Sequence, residues 1–216
     1  MLVVGRPTRT LRCVRFHKPI PVPPESIEAN TPGPDQLEAA EMAHRSAAVL
    51  VGRGRASDDP ELLQRLMDLP RTVGLQTLAE VWSARPARTL PGALWRLYVL
   101  DEWVQRSPEA VAQAFTAGAS RAEVYRVISG VVEPPRPEDL QELTRQILGG
   151  VYEGDLDVAL ERAAAFCHVT ATGLAVLHED DGESSRTEQL RRAARLQETA
   201  TDLQVCARLW LRGDLH

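Results

Sequence analysis

The sequence predicts an all-α protein: a multi-helix bundle of about eight helices behind an extended, partly β N-terminal arm. Three observations lead there. From residue 35 onward, apolar residues recur every three to four positions in one segment after another. Helix-start signals stand at the heads of several of these segments. Six of the fifteen prolines fall within residues 1–33 and Pro34 follows at once, which bars helix from that stretch.

The arm comes first. Met1–Val4 and Leu11–Phe16 read as short strands, and the run Pro19-Ile-Pro-Val-Pro-Pro24 as an extended linker or wrapping arm. Arg6, Arg9, Arg12, Arg15 and Lys18 outweigh Glu25 and Glu28, so residues 1–33 carry +3 on a chain of net charge −5. A basic arm on an acidic body can lie along nucleic acid, an acidic partner or the body itself, or simply stay solvated.

The first helix is expected from Asp35 to about Val51, ended by Gly52-Arg-Gly-Arg55. That run reads as a C-cap rather than a phosphate cradle, because a helix C-terminus repels anions. Asp59-Pro60-Glu61 opens a short helix closed before Pro70, and another covers Val73–Ala84. Thr89-Leu-Pro91 then begins the most apolar helix, to Arg106. With Leu94, Trp95, Leu97, Tyr98, Val99, Leu100, Trp103 and Val104 on most of its sides, it is expected to be the central core helix.

Next come two short helices between Ser107 and Gly130. Ser107 and Pro108 mark the first start, and Gly118 is expected to end that helix in a left-handed conformation. Ser120 and Glu123 have the spacing of a capping box for the second. Glu133-Pro-Pro-Arg-Pro137 breaks the chain. Beyond it, helices are expected over Glu138–Gly149, from Asp155 or Asp157 to Leu177, and from Ser185, with Glu188 completing a second capping box, to about Leu211. The organisation read from this is an arm (1–34), a helical core holding the helix pair (35–132), and a three-helix segment packing on it (137–216). The length of the last helix invites a homodimer or a protein partner.

At 216 residues, 44% hydrophobic and 25% charged, the composition is that of a soluble globular protein, and no run approaches the ~18 apolar residues of a membrane span. No secretory signal is legible, so the expected setting is cytoplasmic, with no membrane partner. Cys13, Cys167 and Cys206 are odd in number and lack Cys-x-x-Cys spacing, which argues against a disulfide framework or a zinc site. Lys18 is the only lysine, which with the many Ala and Leu suggests a high-GC genome.

Candidate chemistry is thin. Glu41-x-x-His44 has the spacing of one half of a di-metal helix-bundle site, but no second copy exists. The loop His178–Ser184 has oxygen ligands without a calcium-loop pattern. Cys167 and His168 are neighbours on a helix, so their side chains diverge by ~100° and form no nucleophile–base pair. No phosphate loop or nucleophile elbow is present. No catalytic residue, metal ligand or cofactor is therefore assigned, and an enzyme ranks third among the functional classes.

The sharpest hint is local. Gly118-Ala-Ser-Arg-Ala-Glu-Val-Tyr-Arg-Val-Ile-Ser-Gly130 resembles the turn and recognition helix of helix-turn-helix DNA-binding proteins of the lac-repressor and resolvase types. The resemblance implies that Ser120, Arg121, Tyr125 and Arg126 face a DNA duplex while Val124, Val127 and Ile128 pack inward. The first helix departs from the pattern. Either Ala114 is the family's small residue, with Gln113 at a core position, or Val111–Phe115 is the core run with Thr116-Ala117 inserted. Two Arg and two Glu leave the pair neutral, so a basic face must come from elsewhere. The expectation is a non-enzymatic regulatory protein that binds DNA through this pair. The alternative is a helical protein–protein interaction protein in which the pair is scaffold.

Overall fold

The structure, a computed structural model, describes residues 34–119, 121–130, 136–177 and 183–216. Nine α-helices and no strand occur among them. We number them α1 (Pro34–Arg55), α2 (Pro60–Met67), α3 (Leu75–Trp82), α4 (Leu90–Arg106), α5 (Pro108–Ala119), α6 (Glu123–Ser129), α7 (Pro137–Glu153), α8 (Leu156–Leu177) and α9 (Glu183–Arg212). A single π-helical turn, Pro70–Gly74, leads into α3. The arm with its expected strands, the prolines at 134 and 135 and residues 178–182 of the acidic loop lie outside the described residues. No described helix is long and apolar enough to cross a membrane.

Several starts follow directly from their residues. The Asp59 carboxylate accepts the Glu61 N–H at 2.9 Å and Pro60 fills the first helical position of α2. Thr89 caps α4 by accepting the Gly92 N–H at 3.3 Å. At α7 the Asp139 carboxylate reaches back to the Arg136 N–H at 2.9 Å and pairs with its guanidinium at 3.0 Å.

Other expectations are overturned. α1 does not stop at Val51 but runs to Arg55, through both glycines. Gly54 is there for contact, not capping: a Cβ on it would meet the Tyr152 ring at 2.7 Å. Arg53 and Arg55 then complement the dipole in the last turn. α9 begins at Glu183, which puts Ser185 inside the helix rather than at its cap.

The centre of the molecule is α8 rather than α4. Residues 163–171 are buried without a break, and α5, α6, α7 and α9 all pack against this helix. α4 lines the same core but keeps Val99 partly in solvent. α4 carries the larger side chains but α8 is the more apolar of the two, and its alanines and Gly173 let four neighbours come close. The buried core is one cluster that draws on both the 35–132 and 137–216 segments. α9 spends its stripe inside the chain: Ala193, Ala200, Leu203 and Cys206 are buried, and α9 packs chiefly along α8. A homodimer through that stripe would have to displace α8.

Several polar groups taken into the core are paired. Thr144 donates its hydroxyl to the buried Asp101 carboxylate at 2.8 Å, and the Gln105 amide adds a second bond at 3.1 Å. The Trp82 indole donates to Ser46 at 3.1 Å. The hydroxyls of Tyr98 and Tyr152 meet in a short hydrogen bond, and Tyr98 also reaches the Leu66 carbonyl at 2.6 Å. A carbonyl only accepts, so the Tyr98 proton goes to Leu66 and Tyr152 is the donor to Tyr98. Burial pushes both phenols above their ordinary range. That order has a consequence for mutation. Tyr98→Phe strands the Tyr152 hydroxyl and removes the carbonyl's phenol donor, at a cost of roughly 2–4 kcal/mol for two disrupted groups. Tyr152→Phe leaves the Tyr98 proton satisfied and costs about 1 kcal/mol. Urea unfolding of both variants checks this, and the reverse order would mean that Tyr98 gives its proton to Tyr152 and not to the Leu66 carbonyl.

Candidate functional site

The helix pair at 107–130 exists, as α5 and α6. α5 lies along α8 at backbone distance. A Cβ on Gly118 would sit 2.0 Å from the Val169 carbonyl oxygen, and one on Gly173 would sit 1.6 Å from that of Ala114. Gly118 is therefore an interior helical residue, buried and without positive φ, and not the left-handed turn glycine expected from the sequence. Phe115 and Phe166 stack beside this contact with ring centroids 5.6 Å apart.

The turn is made by the Gly118 carbonyl, which accepts the Arg121 and Ala122 N–H groups at 3.1 and 3.0 Å. α6 then starts at Glu123, with Ala122 at its cap and no side-chain capping bond; Ser120 and the Glu123 side chain of the expected capping box lie outside the described residues. Gly130 closes α6 in the left-handed conformation, φ 78°, which only glycine adopts freely. The Arg162 guanidinium lies against this end, 3.5 Å from the Ser129 carbonyl.

The predicted contact residues do not form one outward surface. Ser120 lies outside the described residues, Arg121 is exposed, and Arg126 and Tyr125 are half-buried. Tyr125 turns inward and stacks on His168 of α8, centroids 4.2 Å apart and planes 27° from parallel. His168 is 6% exposed; its Nδ1 lies 2.6 Å from the Gln197 amide nitrogen of α9. With the amide donating, Nδ1 accepts, and Nε2 is left as a buried nitrogen without a partner.

Val127 and Ile128, expected to pack inward, are instead 68% and 45% exposed. The face is rotated because Tyr125 and the fully buried Ser129 take the side toward α8. The Val124 side chain is outside the described residues. Beside α6, the residues Tyr125, Ile128, Glu161, Ala165, Gln204 and Arg208 line a small cleft of about 190 Å³.

Little here suits covalent chemistry. Burial pushes the Cys167 thiol up to about 12 and the Cys206 thiol up to about 11, so neither supplies thiolate near neutrality. Among the described residues no group of three or more His, Cys, Asp or Glu could hold a metal ion, and Glu41 pairs loosely with Arg45 at 3.9 Å.

Sequence reasoning missed the partners of Tyr125 and the glycine contact. The small residues at spacing four, Ala114 and Gly118 on one helix and Gly173 on the other, were the one local signal for the second. Comparison with known proteins adds nothing to this geometry: no protein-family model, curated protein or solved structure matches the chain.

Proposed function

We propose that this chain is a non-enzymatic helical interaction protein whose docking face is the outer side of α6. The observation that carries the reading is the exposure of Val127 and Ile128 on a seven-residue helix whose other side is closed by α8. Single exposed apolar residues are ordinary, but an adjacent pair beside a cleft, contributing little to the chain's own core, fits a surface meant to be covered. Arg208 lines the cleft beside Ile128, together with Glu161, and Arg162 stands at the end of the helix. An apolar centre with cations at its edge suits an amphipathic segment that carries carboxylates beside its apolar groups. Buried free thiols at Cys167 and Cys206 fit a reducing, cytoplasmic setting.

The test is photo-crosslinking in cells that make the protein, with the reactive residue placed at position 127 or, as a control, at the partly exposed position 99. A discrete adduct is expected at 127 only, and it should vanish when Ile128→Asp is added. Equal adducts at both positions, or none at 127, would remove the reading. Ile128→Asp should melt with the parent, because the side chain is already in solvent.

A second reading, a regulatory protein that binds DNA through α5 and α6, draws on the exposed Arg121 before α6 and on Arg162 at its other end. It predicts retention of a mixed-sequence duplex that falls steeply between about 50 and 200 mM salt. Combined Arg121→Ala and Arg126→Ala should weaken it further. Absent or salt-insensitive retention would end this second reading.

A further inference from the structure

We infer that the cleft between α1, the head of α4 and the end of α9 binds a small amphipathic organic acid: an anionic head joined to an aryl or acyl body. The cleft holds about 440 Å³, enough for a ligand of that size. Its floor is apolar. Val51, Leu90 and Leu215 are buried there, and Trp210 forms one side. Its rim is cationic, with Arg45 and Arg55 from α1 and the imidazoles of His44 and His216 nearby.

No side-chain carboxylate lines this cleft, and the main-chain carboxylate of His216, the one acidic group at its wall, is engaged by the Leu90 N–H; three other clefts carry Glu in their walls. On a chain of net charge −5, cations gathered over an apolar floor single out an anion with a greasy body. The two arginines differ in availability. Arg45 shares a loose, solvent-exposed contact with Glu41 at 3.9 Å. Arg55 makes no ion pair among the described residues; its guanidinium lies over the Trp210 ring, 5.2 Å from the centroid. A guanidinium held on an aromatic face keeps its N–H donors for an oxyanion, which it grips better than an ammonium would.

The walls are fixed. The Leu90 N–H donates to a main-chain oxygen of His216 at 2.8 Å, and Leu215 beside it is buried. On the opposite wall Gly52 is open: nothing lies within 4 Å of a Cβ placed there. A side chain at 52 therefore starts from open space at the wall of the cleft.

Calorimetric titration of the full chain tests the assignment, with naphthoate and octanoate as anionic probes and naphthalenemethanol as the neutral counterpart. One-to-one saturable binding of at least one anion is expected, and the tighter of the two identifies the body as aryl or acyl. Gly52→Phe should abolish binding while melting like the parent. Arg55→Gln should weaken binding about tenfold or more, and so should replacing the anion by the alcohol. The assignment is overturned if neither anion saturates, or if Gly52→Phe binds as the parent does. Equal affinity for acid and alcohol, or an unchanged Arg55→Gln, overturns it as well. This cleft shares no residue with the α6 face, so neither test bears on the other.

Discussion

Gly173→Ala is expected to destabilise the protein by more than the ~1–3 kcal/mol of ordinary overpacking. Gly52→Ala, the same chemical change within another helix, is expected to stabilise it by up to about 1 kcal/mol. Intrinsic propensity favours alanine at both positions, so the difference isolates packing. At Gly173 the new Cβ would lie 1.6 Å from the Ala114 carbonyl oxygen and 2.9 Å from the Gly118 nitrogen. These are backbone atoms of α5, and no rotamer change relieves the clash. α5 must move off α8, which also parts Phe115 from Phe166. At Gly52 the added methyl meets nothing. Thermal melts of both variants decide it. A Gly173→Ala protein as stable as the parent would show that the two helices are not held at backbone distance.

Leu97→Asp is expected to abolish the folded state. Leu97 is 2% exposed within the core that α4 shares with its neighbours. Losing its packing costs about 2–5 kcal/mol, and the carboxylate must then be buried unpaired or protonated at a further cost. Together these approach or exceed the ~5–15 kcal/mol that holds a typical domain. Leu97→Met, which conserves volume, should cost under about 1.5 kcal/mol. Circular dichroism and a melting scan separate the two, and a cooperative melt from Leu97→Asp would mean that the position is wetter than its burial indicates.

Much of the fold was legible because it rests on local rules. The caps at Asp59 and Thr89 stand where side-chain chemistry places them, and the stripe of α4 is long enough to be unambiguous. What stayed hidden depends on residues far apart in the chain. Gly118, followed by Ser-x-x-Glu, looks like a turn glycine; only the nearness of Val169 and Gly173 reveals that it is a contact glycine. Gly54 looks like a terminator until Tyr152 is seen against it. The centrality of α8 is carried by small residues, which score low by hydrophobic bulk yet allow close approach on every side.

The candidate site was legible as two short helices and misread in phase. α6 has seven residues, under two turns, too few for periodicity to say which side faces the core. Grouping its aliphatic residues inward was the natural choice, and it placed Tyr125 on the wrong side. The ring went in because His168 offers it a flat partner. The cleft over Trp210 left no sequence signature at all, since its walls come from the first and last described helices and the head of α4.

The bonds that join the end of the chain to the approach and head of α4 bear on how the molecule is made. Arg88 pairs with Asp202 at 2.9 Å, the Cys206 thiol donates to the Ala87 carbonyl at 3.5 Å, and the Leu90 amide waits for His216. During synthesis these groups emerge from the ribosome long before their partners exist. The nascent chain must therefore hold α4, with its large apolar side chains, incompletely covered until residues 202–216 have been made, and that interval is when it most needs a chaperone.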